Sequence, residues 1–274
     1  MNSKRQFIGA ICMFSGTLLG VASLLGAWTP LGHYRNHSPR PWERFDAELV
    51  DRLRTVEDVL QQATTRLGRP LEQASPEAAV KVLYELVTER FTHDDARHNF
   101  FSNWILWAFG FFKSDFAHIR DPETMIAHGH SLFCDQSSYL LLHLLQRSGL
   151  QGRHVGLGGH VVMEAWYDGD WHLYDPDMEV LGERADRLVE GVEQISKNPT
   201  LLRRLYGGPK TPIIPILESR QDNTFMSYPA GSWFGWKSQV LSLWEAGCEM
   251  LKWLFPLAAL TGGYRLVRSG TSAW

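Results

Sequence analysis

The 274 residues leave room for one sizeable domain with its own core and for an appendage. A formal net charge of −3 supplies no basic field, so nucleic acid is not expected as a partner. Three cysteines provide no disulfide framework, and there are no internal repeats or low-complexity tracts.

In chain order, Phe7 to Trp28 comes first, 22 residues without a charge, preceded by Lys4 and Arg5. A bilayer span takes about 20 apolar residues, whereas the apolar region of a secretory signal has about 7–15. Residues 1–28 are therefore expected to remain as a membrane anchor, with cleavage after Ser23 as the alternative. Gly16 and Gly20 form a small-xxx-small pair that lets two helices approach. Lys4 and Arg5 favour a cytoplasmic N-terminus, but Arg35, Arg40 and Arg44 follow closely and nearly balance them. The short basic head tips the choice toward an extracytoplasmic location for the rest of the chain.

Residues 29–44 read as a linker, with Pro30 and Pro41 near its ends. Asp46 to Leu67 predicts one amphipathic helix. Ser75-Pro76-Glu77 is an N-cap with proline at the first helical position, predicting a helix to about Phe91. His93, Asp94, Asp95 and His98 read as a solvated loop. Phe100 to Phe112 is an aromatic run long enough for a buried helix and too short to span a membrane.

Cys134 to Asp175 carries the chemistry. Cys134 opens a helix in which Leu140, Leu141, Leu144 and Leu145 recur at helical spacing and Gly149 is the stop. Arg153-His154-Val155 is strand-like, a glycine-rich step runs from Gly156 to Gly159, and His160 to Tyr167 is a second strand. Asp168-Gly169 signals a two-residue hairpin, after which the chain returns through Trp171 to Asp175. A thiol at a helix N-terminus, an imidazole and a carboxylate are the parts of an activated nucleophile. With a two-residue loop Val162 faces Asp175, and His160 lies one diagonal step away on the same face, within reach at roughly 7–8 Å. A three-residue loop would put His160 and Asp175 on opposite faces.

Cys134 opening a helix, His160 with Glu164 on one strand, and Trp171 with Asp175-Pro176 on the next together resemble the transglutaminase-like superfamily of papain-like thiol enzymes. The resemblance covers roughly residues 75 to 180. It implies an α+β fold with a papain-like, transglutaminase-like core, a nucleophile helix packed on an antiparallel sheet. It also implies Cys134 as nucleophile, His160 as general base and acid, and Asp175 as the orienting carboxylate. An oxyanion hole would combine the nucleophile's backbone N–H with a second donor upstream, for which Asn103 and Trp104 are candidates.

Other assignments compete with these. Cys134 alone reads as a buried small hydrophobe, His160 as a core histidine and Asp175 as a turn former; their joint placement favours catalysis. His128 and His130 with Cys134 could hold zinc, but no Cys-x-x-Cys accompanies them, and neither metal nor cofactor is expected. Trp166, Trp171 and Cys248 read as packing residues.

Two helices are predicted over Arg184 to Ile195 and Pro199 to Tyr206. Gly207 to Gly231 reads as a loop bordering the thiol site. In the C-terminal segment, residues 231–274, Trp236, Val240, Leu243, Leu251 and Leu254 fall on one helical face, and Lys237, Glu245, Glu249 and Lys252 mainly on another. Trp253 to Leu260 is apolar, and Arg265 and Arg268 close the segment. It could dock on the core, lie in a membrane interface, or form a short second span with its basic end in the cytoplasm.

Together these features predict a catalytic domain over 45–230, tethered to a membrane and acting on an amide of a peptide or protein through a cysteine thioester. Hydrolysis by a protease or amidase is favoured over transfer to an amine. The rival from another class is a membrane scaffold or assembly factor for envelope polymer production that keeps the same fold without catalysis.

Overall fold

The computed structural model describes residues 2–219, 226–228 and 233–271, with the side chains of 2, 226–228, 233–239, 270 and 271 excepted. It combines helices with small sheets in two compact units. In chain order the helices are α1 (Asn2–Trp28), α2 (Ala47–Arg52), α3 (Val56–Leu67), α4 (Pro76–Arg90), α5 (Phe100–Gly110), α6 (Pro122–Ala127) and α7 (Cys134–Arg147). They continue with α8 (Val192–Ser196), α9 (Pro199–Leu205), α10 (Ile214–Glu218) and α11 (Trp233–Thr271). The strands are β1 (Thr92–His93), β2 (Ser131–Leu132), β3 (Gly152–Leu157), β4 (His160–Tyr167), β5 (Asp170–Asp175), β6 (Val180–Leu181) and β7 (Met226–Tyr228).

The larger unit comprises Arg35–Ala96 and Arg120–Val240. Its centre is a five-stranded antiparallel sheet ordered β6-β5-β4-β3-β7. Tyr167 pairs with Asp170 and Met163 with Tyr174, which is the two-residue loop register. Asp168 and Gly169 both have positive φ, 51° and 82°, as the tight hairpin turn demands. Helix α7 lies against β3 and β4, burying Leu140, Leu141, Leu144 and Leu145. Ser138 Oγ donates to Val161 O at 3.2 Å and ties that helix to β4. Behind the sheet, Val162, Leu173, Val192, Ile195, Leu202 and Leu217 share an apolar core.

Several expectations change here. The helix predicted over Asp46 to Leu67 is two helices, broken at Leu53 to Thr55. Thr55 Oγ1 accepts from Asp58 N and the Asp58 carboxylate accepts from Thr55 N, a reciprocal cap that starts α3 afresh. The helix predicted from Arg184 exists only over Val192–Ser196. Ahead of it Arg187 has φ +66° and Glu183 bridges Val189, so the chain turns there instead. Gly207 to Gly231 is no plain loop: within its described part Ile213, Ile214 and Leu217 enter the core, and β7 adds to the sheet edge. The remainder of that stretch lies outside the described residues.

The smaller unit comprises Met1–Tyr34, Arg97–Ile119 and Leu241–Trp274. Among the described residues α1 is the one helix long and apolar enough to cross a membrane. It packs antiparallel to α11. A Cβ on Gly9 would stand 2.7 Å from Gly263 O, one on Gly16 would stand 2.9 Å from Pro256 O, and Ser23 Oγ donates to Lys252 O. The aromatic run predicted as a buried helix is only partly so, since Phe111 and Phe112 are exposed. Of the two faces of α11 that the sequence distinguishes, the charged one is covered. Leu243, Leu251 and Leu254 are exposed, whereas Glu245 and Lys252 are buried. Glu245 Oε1 meets His98 Nε2 at 2.7 Å, Asn103 Nδ2 donates to Glu249 Oε1 at 2.7 Å, and Lys252 Nζ donates to Ser102 O at 2.7 Å. Cys248 is buried, in keeping with a packing role.

Candidate active site

Cys134 is the first residue of α7, and Gln136 fixes that entry. Its amide oxygen accepts from Phe133 N and Ala96 N at 3.1 and 3.0 Å, and its amide nitrogen donates to Ala96 O at 2.8 Å. The next residue, Asp135, pairs with Arg120 at 2.6 Å. His160 begins β4 directly after Gly159, whose φ of +111° suits glycine. Asp175 ends β5, one residue beyond the Met163–Tyr174 pairing with β4. The tight hairpin thus does what the register argument requires.

His160 Nε2 meets Asp175 Oδ2 at 2.8 Å. The ring's other nitrogen, Nδ1, stands 3.9 Å from Asp177 Oδ2. Cys134 Sγ, a His160 nitrogen and an Asp177 oxygen all lie within 4.8 Å of one another, and the thiol is hydrogen-bonded to the imidazole. The imidazole therefore meets both a carboxylate, through Nε2, and the thiol. Cys134, His160 and Asp175 are all buried.

Electrostatics follow from burial and these partners. Burial pushes the Cys134 thiol up, the His160 hydrogen bond pulls it down, and the Asp177 charge pushes it up again. Burial opposes the charged form of His160, but the charge and hydrogen bond of Asp175, with the Cys134 thiol, raise it well above the ordinary imidazole value. Asp177 is raised by burial, with His93 working against that shift.

Three functional neighbours were not assigned from sequence. Tyr206, just after α9, donates from its hydroxyl to Asp175 Oδ2 at 2.9 Å. Asp175 Oδ1 also accepts from Met178 N at 3.1 Å, so the carboxylate is held from three directions. His93, read as part of a solvated loop, instead pairs through Nδ1 with Asp177 Oδ1. Its sequence neighbour Asp94 pairs with His37, and His98 belongs to the smaller unit with Glu245. These long-range pairings leave no local signature; only the abundance of ionisable residues marked the stretch.

Other sequence candidates are engaged by partners of their own. Glu164 is buried and accepts from Arg153 Nε at 2.6 Å and Val192 N at 2.7 Å, a structural role. Trp171 carries the Arg153 guanidinium over its ring at 4.1 Å and packs on Trp166, as predicted for packing residues. His130 packs on Phe45. The metal-competent neighbours of Cys134 are His160 and Asp177, not His128 and His130. Asn103 and Trp104 lie in the smaller unit, where the Asn103 amide is engaged by Glu249 and Trp104 packs on Phe255.

Cys134, His160 and Asp175 thus come together in a triad-like arrangement compatible with a cysteine enzyme. Comparison with protein-family models, curated proteins and solved structures finds no match for the chain.

Proposed function

We propose that this chain is a membrane-anchored, transglutaminase-like thiol enzyme acting on a peptide or protein amide. The supporting observation is that the His160 imidazole meets both the Cys134 thiol and the Asp175 carboxylate. In the forward step the Cys134 proton passes to His160, Sγ bonds to the amide carbon, and the C–N bond breaks as His160 protonates the leaving amine. Water, deprotonated by the now neutral His160, then splits the thioester. An amine in its place would make the enzyme an acyltransferase. Hydrolysis is favoured because water is always available and no acceptor site is identified. Alkylation with iodoacetamide across pH tests this. Cys134 should react faster than Cys248, and His160→Ala should abolish the difference. Equal, His160-independent labelling would favour the non-catalytic scaffold.

The membrane attachment is read as a two-helix hairpin. Ionisable groups inside a bilayer face protein and pair there, while apolar side chains face lipid. The α11 pattern fits that rule: Leu243, Leu254, Phe255 and Leu257 point outward, and Glu245, Glu249 and Lys252 are engaged by His98, Asn103 and Ser102. The pairing of Gly9 with Gly263 brings Lys4 and Arg5 to the same end as Arg265 and Arg268. By the positive-inside rule four basic residues at one end favour a cytoplasmic location for it, against Arg35, Arg40 and Arg44 beyond the other end of α1.

A further inference from the structure

Asp177 carries a buried oxygen, Oδ2, without a hydrogen-bond partner, although its Oδ1 is engaged by His93. An unpaired buried carboxylate oxygen is costly, and the acyl-transfer triad has no task for it. Its neighbours are themselves metal donors. His160 Nδ1 lies 3.9 Å away, and Cys134 Sγ completes a group whose ligand atoms all stand within 4.8 Å of one another.

Zinc binds thiolate, imidazole and carboxylate at about 2.0–2.3 Å in a tetrahedron, which puts neighbouring donors roughly 3.3–3.8 Å apart. The His160–Asp177 separation of 3.9 Å is somewhat wider than that spacing, and closing the thiol onto a metal takes a shift of about 1.3 Å at most. The supporting groups are already in place. Asp175 holds His160 Nε2 at 2.8 Å, which leaves the Nδ1 lone pair for a metal, and His93 orients Asp177 from behind. Metal-bound histidines and carboxylates are ordinarily held in this way. A soft sulfur with one nitrogen and one oxygen selects zinc or cobalt over calcium or magnesium.

We propose that Cys134, His160 and Asp177 form a reversible, inhibitory Zn2+ site. Only its inhibitory character rests on the thiol chemistry proposed above. On binding, the Cys134 S–H proton leaves to buffer as the Zn–S bond forms, and no redox change accompanies it. The sulfur and His160 Nδ1 are then both occupied, so attack on an amide and metal binding exclude each other. Three protein donors leave the fourth position to water.

The test uses the full-length chain in detergent, reduced and metal-free, titrated with Zn2+ alone and then with Co2+. One Zn2+ per chain is expected, with a sulfur-to-cobalt charge-transfer band and protection of Cys134 from iodoacetamide. Cys134→Ser should weaken binding at least about 100-fold, and Asp177→Asn at least about tenfold. Zn2+ held equally by Cys134→Ser would mean that histidines elsewhere bind it, and would overturn the site; so would no binding at all. Should Asp177→Asn misfold by circular dichroism, Cys134→Ser and the cobalt band decide. Cys134-dependent turnover insensitive to bound Zn2+ sinks the inhibitory site alone. Metal binding by a chain without turnover sinks the enzyme reading alone.

Discussion

The Tyr206 hydroxyl and the His160 ring share one oxygen: Tyr206 Oη donates to Asp175 Oδ2 at 2.9 Å, and His160 Nε2 meets the same atom at 2.8 Å. Tyr206 is buried after α9, in the apolar core behind the sheet, so this segment helps fix the carboxylate that orients the imidazole. Tyr206→Phe keeps the ring and removes the donor. Hydrogen bonds to charged groups are worth about 1.5–3 kcal/mol. The expected outcome is a folded protein with a lowered melting temperature and Cys134 alkylation slowed by about tenfold. Unchanged alkylation would assign Tyr206 to packing alone.

Asp175→Asn removes the charge that raises His160. Turnover should fall by about two to four orders of magnitude with substrate binding little changed. Stability gives a second readout. A histidine whose folded pKa is raised stabilises the fold below its unfolded value of about 6.5, and this is lost as pH rises through the folded pKa. The stability gap between parent and variant should therefore be widest near about pH 6 and narrow at alkaline pH. A gap independent of pH would separate Asp175 from the imidazole's charge.

The thiol is held up first by burial and then by the Asp177 charge, against the pull of His160. Asp177→Asn takes away a negative charge beside the sulfur and favours the thiolate. The inflection of the Cys134 alkylation profile should move to lower pH, while that of Cys248 stays fixed. A shift in the opposite direction would mean that the His93–Asp177 pair acts as a net positive group.

These expectations separate what local sequence carries from what it does not. The α7 start, its leucine face and the Asp168-Gly169 turn are local chemistry, and with them the placement of His160 and Asp175 could be anticipated. Tyr206 reaches Asp175 across 31 residues and His93 reaches Asp177 across 84, and no period or motif records either pairing. In α11 the helical period gives two faces correctly, yet it does not say which one is covered. That choice depends on His98, Ser102 and Asn103, far away in sequence. The break at Thr55 was legible in principle, since Thr55 followed by Asp58 is a helix-start pattern inside an otherwise continuous apolar period.

Close backbone approach at Gly16 holds α1 against α11, because a Cβ there would stand 2.9 Å from Pro256 O and 3.1 Å from Leu260 Cγ. Gly16→Leu should force the helices apart. A disulfide engineered between the two helices near Ser23 and Lys252 should form efficiently in the parent background and poorly with Gly16→Leu. Undiminished cross-linking would mean that the approach at Gly16 does not hold the pair together.

The hairpin reading makes a prediction about topology that differs from a single anchor. With α1 alone in the membrane, a chain starting at Pro30 would be released by alkaline carbonate. With α11 embedded as well, that truncation should remain in the membrane pellet, because Leu254, Phe255 and Leu257 still face lipid. Orientation is read from single cysteines in a background with Cys12, Cys134 and Cys248 all replaced by serine. Ser3→Cys and Ser269→Cys sit at the basic end and should both react with a membrane-impermeant maleimide only after the cytoplasmic side is opened. Labelling of Ser3→Cys and Ser269→Cys from opposite sides would break the hairpin and leave α11 outside the bilayer. Labelling of both from the external side would invert the protein and put the Cys134 chemistry in the cytoplasm. A mature chain beginning at Leu24 would remove the α1 anchor and leave α11 as the attachment. The expected pattern instead keeps the thiol tethered on the external face, where its substrates would be amides presented at the membrane surface.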